Sequence, residues 1–299
     1  MRSLTLLAIT TAILFFAESA HAQTPALAGG PMLDCSGLPC VDIVTGGGKH
    51  LRMLVDTGNV DSVLDVAVAK DMGLAPTPIN GADGKPTGYS KATLADVKLG
   101  AASLGKVAVL VMDLATFIKQ DKMPAADGTL AYTASKDRIL ELDYKKRNVR
   151  ISEQLRQNLP CPGFCGDLTY PTFGKQGPPI VVTTGFTVNG KPLAVQIDTL
   201  FTGTMLVYPP SVEKLGLTAQ SASNKKQFFK YTDDGVDMVE AQADAEGFGS
   251  NVLAQKAPVF FATPAVHLPD AMFDGTVGHA LFQGIVLMLD LHSNHAWIA

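Results

Sequence analysis

The sequence predicts a mainly β protein with short helices, built from two similar barrel-like lobes in one chain. Three observations predict this class: a strand ending in Asp-Thr that occurs twice, short apolar segments separated by frequent turn residues, and a Gly- and Pro-rich stretch between the halves. The 299 residues include 28 Gly and 18 Pro, and 46% are hydrophobic, as expected of packed β domains. The length is sufficient for two domains of ordinary size.

The duplicated motif consists of a turn, a short apolar strand and Asp-Thr. Residues 48–57 (GKHLRMLVDT) recur as residues 190–199 (GKPLAVQIDT), with the same spacing at every position. The repeat continues, because Asp-Gly-Thr occurs both at 127–129 and at 274–276. Each half presents one carboxylate, Asp56 or Asp198, at the end of a strand. Two carboxylates held close together do not ionise independently, so the repeat predicts an acid/base site between the lobes.

The first 22 residues are predicted to be a signal peptide. Arg2 is followed by an apolar stretch at 4–17, and Ala20-His21-Ala22 fits a small-x-small cleavage site. An uncleaved anchor is the alternative. No later stretch is long and apolar enough for a membrane-spanning helix. The sequence therefore predicts an exported protein, periplasmic or secreted, whose mature chain begins at Gln23 and has no membrane span.

The remaining chain divides into a leader at 23–34, a first lobe at 35–152, a linker at 153–178 and a second lobe at 179–299. Strands are predicted at 41–44, 51–55, 92–99, 107–112, 180–183 and 193–197, with a turn at 100–105. Short helices are predicted at 66–72 and 210–215, each followed by a glycine. Each lobe should close with a hairpin, at 139–151 and at 285–298.

The four cysteines form two local pairs, Cys35 with Cys40 and Cys161 with Cys165. An even number of cysteines in an exported chain favours disulfides, for which three connectivities are possible. The local pairing is preferred because each pair precedes one repeat. A metal site is the alternative, but no histidine adjoins either pair, and we expect no metal. The net charge of −4 gives no reason to expect a nucleic-acid partner.

The stretch Val55-Asp56-Thr57-Gly58 resembles the hydrophobic-Asp-Thr-Gly motif of aspartic proteases, and residues 277–290 resemble the closing segment of retropepsin-like domains. The resemblance, to retropepsin-like and pepsin-like aspartic proteases in an exported, bacterial-type form, covers most of both repeats. It implies a monomer with two paired acid-protease lobes, a peptide or protein substrate, and no cofactor. Asp56 and Asp198 would share one proton and activate a water for attack on a peptide bond.

The resemblance also assigns supporting residues to the two loops. Thr57 and Thr199 would hydrogen-bond across the loops, and Gly58 would allow close approach of the backbone to the carboxylates. The second motif departs from the pattern at Leu200, where glycine is expected. A leucine side chain in this tight loop could tilt Asp198 or crowd the water, and if it is an obstacle Leu200→Gly should raise turnover. Asn59 and Phe201 also replace the Ser or Thr often found just beyond the motif.

The family places a β-hairpin flap over each cleft. Residues 80–92 are the candidate in the first lobe, with Gly84, Gly88 and Tyr89 in the hairpin, and residues 229–239 are the counterpart. Two rival interpretations remain open. The chain could bind peptides, or serve as a scaffold, without turnover, as Leu200 would favour, or like halves of two chains could pair in a dimer.

Overall fold

The computed structural model describes residues 28–81, 83–114, 116, 124–153, 165–172, 179–216, 221–227, 236–262 and 273–298. The predicted signal peptide, Cys161 and residues 229–235 of the second candidate flap lie outside this part of the chain. Within it, β-strands dominate and the helices are short, so the predicted fold class is confirmed. None of the helices in the described ranges is long and apolar enough to cross a membrane.

The first lobe contains eleven strands and one short α-helix among its described residues. In chain order these are β1 (Ala28–Pro31), β2 (Leu33–Cys35), β3 (Leu38–Val44), β4 (His50–Asp56), β5 (Ser62–Asp65), α1 (Val66–Asp71), β6 (Thr77–Asn80), β7 (Pro86–Leu99), β8 (Ala102–Met112), β9 (Gly128–Ala131), β10 (Ile139–Asp143) and β11 (Asn148–Ser152). A single 3-10 turn, Tyr132–Ser135, follows β9.

The second lobe repeats this order. Its elements are β12 (Cys165–Thr169), β13 (Val182–Val188), β14 (Lys191–Asp198), β15 (Met205–Val207), α2 (Pro209–Leu215), β16 (Ser221–Gln227), β17 (Val236–Phe248), β18 (Asn251–Ala262), β19 (Gly275–Gly278), β20 (Val286–Asp290) and β21 (His295–Ile298). A 3-10 turn, His279–Phe282, follows β19, as in the first lobe.

Each lobe contains a closed ring of six strands. In the first lobe the ring runs β3-β4-β9-β5-β8-β7 and closes by pairing of β3 with β7. In the second it runs β13-β14-β19-β15-β18-β17 and closes by pairing of β13 with β17. Closure leaves no unpaired edge within the ring, and the apolar side chains that point inward form the core. The sequence repeat is therefore a repeat of whole barrels.

A six-stranded sheet, ordered β1-β11-β10-β20-β21-β12, joins the lobes. Its centre is the antiparallel pairing of β10 with β20, one strand from each closing hairpin. Strand β1 lies in the segment assigned to the leader and pairs with β11, while β12 lies in the assigned linker and pairs with β21. The two lobes thus share backbone hydrogen bonds along this sheet, which fixes one lobe against the other.

The repeated Asp-Gly-Thr places a parallel strand beside each Asp-bearing strand. The Asp127 side chain accepts a hydrogen bond from the Arg52 N–H at 2.7 Å, and the Asp274 side chain accepts one from the Ala194 N–H at 2.8 Å. These bonds set β9 against β4 and β19 against β14, both parallel. A side chain at Gly128 would lie 2.1 Å from the Val63 carbonyl oxygen, so only glycine allows this approach.

The predicted turn at 100–105 is shorter in the structure. Strand β7 continues to Leu99 and β8 begins at Ala102, so the turn has two residues. Gly100 adopts a φ of +55° there, a conformation that glycine permits. A side chain at Gly100 would lie 1.9 Å from the Gly29 carbonyl oxygen of β1. The predicted turn was too long because residues 102–105 pair with residues 97–99 of β7.

Candidate functional site

Asp56 ends β4 and is 2% exposed. Its Oδ1 accepts a hydrogen bond from the Gly58 N–H at 2.9 Å, and its Oδ2 accepts one from the Asn59 side-chain amide at 2.9 Å. Both donors come from the two residues that follow Thr57, so the loop turns back over its own carboxylate. Hydrogen bonds to both oxygens fix the orientation of this side chain and favour its charged form. Asn59, a departure from the family pattern, is one of the two donors.

Asp198 ends β14 and is held by its own loop in a related way. Its Oδ1 accepts hydrogen bonds from the N–H groups of Leu200 at 2.9 Å and Phe201 at 3.2 Å. The bond from Leu200 matches the bond from Gly58 to Asp56 in the first lobe. Leucine at this position therefore keeps the backbone hydrogen bond that the motif provides.

Thr57 and Thr199 are fully buried and join the two loops. The N–H of each threonine donates to the Oγ1 of the other at 3.1 Å. The Oγ1 of Thr57 donates to the Ile197 carbonyl oxygen at 2.8 Å, and that of Thr199 donates to the Val55 carbonyl oxygen at 2.5 Å. Both N–H groups and both hydroxyls of this pair thus reach across the interface, which brings the two Asp-bearing loops to one place.

Gly58 lies directly against the carboxylate of Asp198. A side chain at Gly58 would place its Cβ 2.5 Å from Asp198 Cγ and 2.7 Å from both carboxylate oxygens. The backbone of Gly58 does not adopt a positive φ, so close approach is the reason for glycine here. Since the Gly58 N–H also donates to Asp56, this one residue contacts both carboxylates.

Gln196 was not identified from the sequence. It is buried, and its Nε2 donates across the interface to the Gly58 carbonyl oxygen at 3.0 Å. The first repeat has Leu54 at the matching position, so a polar residue in an otherwise apolar strand was the available signal. The Thr276 hydroxyl donates to Gln196 Oε1 at 3.3 Å, and Tyr208 Oη lies 2.9 Å from Thr276 Oγ1.

The Leu200 side chain packs into the first lobe. It lies against an apolar cluster formed by Cys35, Leu38, Cys40 and Leu54. Cys35 and Cys40 form a disulfide that closes the hairpin of β2 and β3 beneath it, as predicted. Cys165 is also disulfide-bonded, and its pairing with Cys161 stays a prediction because Cys161 lies outside the described residues. The cluster gives the leucine an apolar environment on the far side from Asp198 Oδ1, to which its N–H points.

Phe201 and His279 fix the rest of the second loop. The Phe201 side chain packs against the apolar cluster of Ile180, Val182, Leu206, Tyr208 and Phe273. The Phe201 carbonyl oxygen accepts from the His279 N–H at 3.0 Å and lies 3.3 Å from His279 Nδ1. Burial lowers the pKa of His279, so this ring is neutral at pH 7.

The first candidate flap is a hairpin in the structure. Strand β6 pairs with the beginning of β7 around Gly84. Gly84 and Gly88 have φ values of +76° and +81°, which explains glycine at both positions. Tyr89 is 40% exposed. Its role as a flap residue stays a prediction.

The described residues contain no group of three or more His, Cys, Asp or Glu side chains that could hold a metal ion. The two Asp-Thr loops bring two carboxylates to the interface, each held by hydrogen-bond donors of its own loop.

Comparison with known proteins finds a similarity within the first lobe. Residues 41–133 match the family model described as aspartyl protease, and this range includes Asp56, Thr57 and Gly58. No curated protein matches the sequence. The match covers the part of the first lobe that carries the Asp-Thr-Gly motif and the strands around it.

Two basic 7S globulins of known structure are similar to the chain at 12% identity. The crystal structure of basic 7S globulin from soybean aligns with a TM-score of 0.43, covering 88% of this chain and 91% of the globulin. The crystal structure of conglutin gamma, a basic 7S globulin from lupine seeds, aligns with a TM-score of 0.48, covering 91% and 94%.

Proposed function

We propose that this aspartic-protease-like chain is an endopeptidase that hydrolyses peptide bonds with a water activated between Asp56 and Asp198. The observation that supports the proposal is the crossed hydrogen bonding of Thr57 and Thr199, which brings the two Asp-bearing loops together. The contact of Gly58 with both carboxylates supports it further. The aspartyl protease match over the first lobe agrees with this assignment.

In the proposed mechanism the two carboxylates share one proton. The ionised carboxylate takes a proton from the water while the water oxygen attacks the peptide carbonyl carbon. The protonated carboxylate donates to the carbonyl oxygen, giving a tetrahedral intermediate. Proton transfer to the leaving nitrogen then breaks the C–N bond. The donors around Asp56 and Asp198 hold both groups in place throughout, so little reorganisation is needed during the reaction.

We further propose that the protein acts outside the cytoplasm as a monomer. The predicted signal peptide and the Cys35–Cys40 disulfide both agree with export to an oxidising compartment. The pairing of β10 with β20 joins the two lobes within one chain, so a second chain is not needed to complete the interface. Light scattering should give the mass of one chain, whereas twice that mass would favour the dimer.

A second candidate function is peptide binding without turnover. Leu200 favours it, because this residue takes the place of the second-motif glycine and fills space at the interface of the lobes. The two candidates share the fold and the cleft, and they differ only in whether bound peptide is hydrolysed. Cleavage therefore separates them directly.

The test is cleavage of a mixed, denatured protein substrate across acidic to neutral pH. The mature wild type is compared with Asp56→Asn and Asp198→Asn, and a transition-state-mimicking inhibitor of aspartic proteases is added in parallel. Cleavage should be lost in both variants and blocked by the inhibitor. Asp137→Asn makes the same chemical change at an exposed position and should cleave as the wild type does.

Two outcomes would reject the endopeptidase proposal. One is the absence of cleavage by wild-type protein that is folded and free of contaminating proteases. The other is cleavage that persists in either Asp variant. In the first case, retention of denatured peptides by the wild type would favour the binding function.

A further inference from the structure

We propose that Gln196 is a positioning residue for Asp56, acting across the interface through the peptide group between Gly58 and Asn59. This inference rests on the proposed function, since it concerns the same two carboxylates. It goes beyond that function by assigning a role to a second-lobe residue that belongs to neither Asp-Thr motif. It also predicts an asymmetry between the two halves of the site.

The peptide group that Gln196 holds lies between the two donors to Asp56. Gly58 supplies its N–H to Asp56 Oδ1, and Asn59 supplies its side-chain amide to Oδ2. The carbonyl group between these donors belongs to Gly58 and accepts the hydrogen bond from Gln196 Nε2 at 3.0 Å. The torsion angles on either side of this peptide group, ψ of Gly58 and φ of Asn59, set the position of one donor relative to the other, so one bond from the second lobe restrains both contacts to Asp56.

Gln196 is itself held in a single orientation. Its Oε1 accepts from the Thr276 hydroxyl at 3.3 Å, so that its Nε2 points towards Gly58. Because the single hydroxyl proton of Thr276 points at Gln196, the Thr276 oxygen accepts a hydrogen bond from the hydroxyl of Tyr208 at 2.9 Å. All three side chains are buried. The result is a chain of hydrogen bonds running in one direction, from Tyr208 through Thr276 and Gln196 to the first-lobe loop.

The residue at the matching position in the first lobe supports the opposite Asp loop in a different way. Gln196 and Leu54 occupy the same place in the two repeats, and so do Gly58 and Leu200. Gln196 supports Gly58 by a hydrogen bond, whereas Leu54 belongs to the apolar cluster against which Leu200 packs. Each Asp loop thus has a support from the opposite lobe, polar for Asp56 and apolar for Asp198. This pairing explains why glutamine occurs in one repeat and leucine in the other.

Gln196→Met tests the role, because methionine has similar length and no donor. The kcat/KM for peptide cleavage should fall about tenfold, mainly in kcat, because an unpaired carbonyl lets the peptide group rotate. The acidic limb of the pH profile should move to higher pH, since weaker donors favour the charged Asp56 less. Thr276→Val leaves Gln196 in place but frees its orientation. It should lower kcat/KM less than Gln196→Met does and move the acidic limb by a smaller amount in the same direction.

Leu193→Met is the matched control, because it puts the same side chain into the core on the same strand. A merely structural role for Gln196 would lower stability, yet leave the pH profile of the remaining active protein unchanged. An unshifted profile in both Gln196→Met and Thr276→Val would overturn the inference.

A second measurement does not depend on cleavage. The titration of Asp side-chain carboxyls is followed by 13C NMR in the mature protein, and the Asp56 signal is assigned by its loss in Asp56→Asn. Its midpoint should rise in Gln196→Met and stay unchanged in Leu193→Met. An unchanged midpoint in Gln196→Met would refute the positioning role even in an active enzyme. A shifted midpoint in a protein that does not cleave would support the role and reject only the endopeptidase proposal.

Discussion

Thr57 and Thr199 exchange hydrogen bonds across the interface of the lobes, the backbone N–H of each donating to the side-chain oxygen of the other at 3.1 Å. Each hydroxyl in turn donates to a carbonyl oxygen of the opposite lobe, at Ile197 and Val55. Both threonines are fully buried, so water cannot replace any of these bonds. The two lobes are therefore locked together at the point where the carboxylates lie.

Replacement of either threonine by valine should destabilise the protein by about 2 to 5 kcal/mol. Valine keeps the shape but leaves one N–H and one carbonyl oxygen buried and unpaired, each at a cost of about 1 to 3 kcal/mol. Serine keeps the hydroxyl, so Thr57→Ser and Thr199→Ser should lose less than about 1.5 kcal/mol. Urea denaturation measures the difference. Equal losses for serine and valine would mean that the hydroxyl bonds contribute little.

Gly58→Ala should reduce both turnover and stability. The added Cβ would lie 2.5 Å from Asp198 Cγ, so the carboxylate or the loop must move, typically costing about 1 to 3 kcal/mol. Displacement of the reacting group should lower kcat at least about tenfold. Gly47→Ala is the control, because a side chain there meets no atom within 4 Å. Wild-type kcat in Gly58→Ala would show that the close contact is not required.

Leu200→Gly should lower stability and give no gain in turnover. The sequence predicts that leucine tilts Asp198 or crowds the water, whereas in the structure its N–H donates to Asp198 and its side chain packs against the Cys35–Cys40 cluster. Removal of that side chain should cost about 2 to 4 kcal/mol, because it leaves a cavity beside the disulfide. Thermal unfolding and kcat are compared with those of Leu200→Met, which conserves volume. A clear rise in kcat for Leu200→Gly would restore the crowding hypothesis.

The fold was predictable because the feature that repeats in the sequence is the pattern of strands and turns itself. A matched strand, Asp-Thr and closing hairpin in each half require matched barrels. The supports of the site were not predictable. The bond from Gln196 to Gly58 and the packing of Leu200 join residues far apart in sequence, so they depend on how the lobes meet. Local pattern also did not reveal that β1 pairs with β11 in the sheet between the lobes.

Glu246 makes the stability of the second lobe depend on pH. It is fully buried in β17, and neither carboxyl oxygen forms a hydrogen bond with any described residue. Strand pairing puts it where the first lobe has the buried Val97. Val44 and Thr187 pair with His50 and Pro192, which match in the repeat, and on their other side they pair with Lys98 and Gly247, the residues that follow Val97 and Glu246. Burial raises the pKa of Glu246 from 4.5 to about 8. The folded protein therefore keeps a proton that the unfolded chain releases.

The free energy of unfolding should fall as the pH rises from about 4.5 to about 8. Below this range Glu246 is protonated in both states, and above it the loss levels off on the order of 5 kcal/mol. Denaturation curves at several pH values measure how steeply the free energy of unfolding falls with pH. Glu246→Gln and Glu246→Val should both reduce this slope. Glu240→Gln, on the same strand but partly exposed, should keep it. If Glu246→Gln retained the full slope, another group would have to be responsible for the pH dependence.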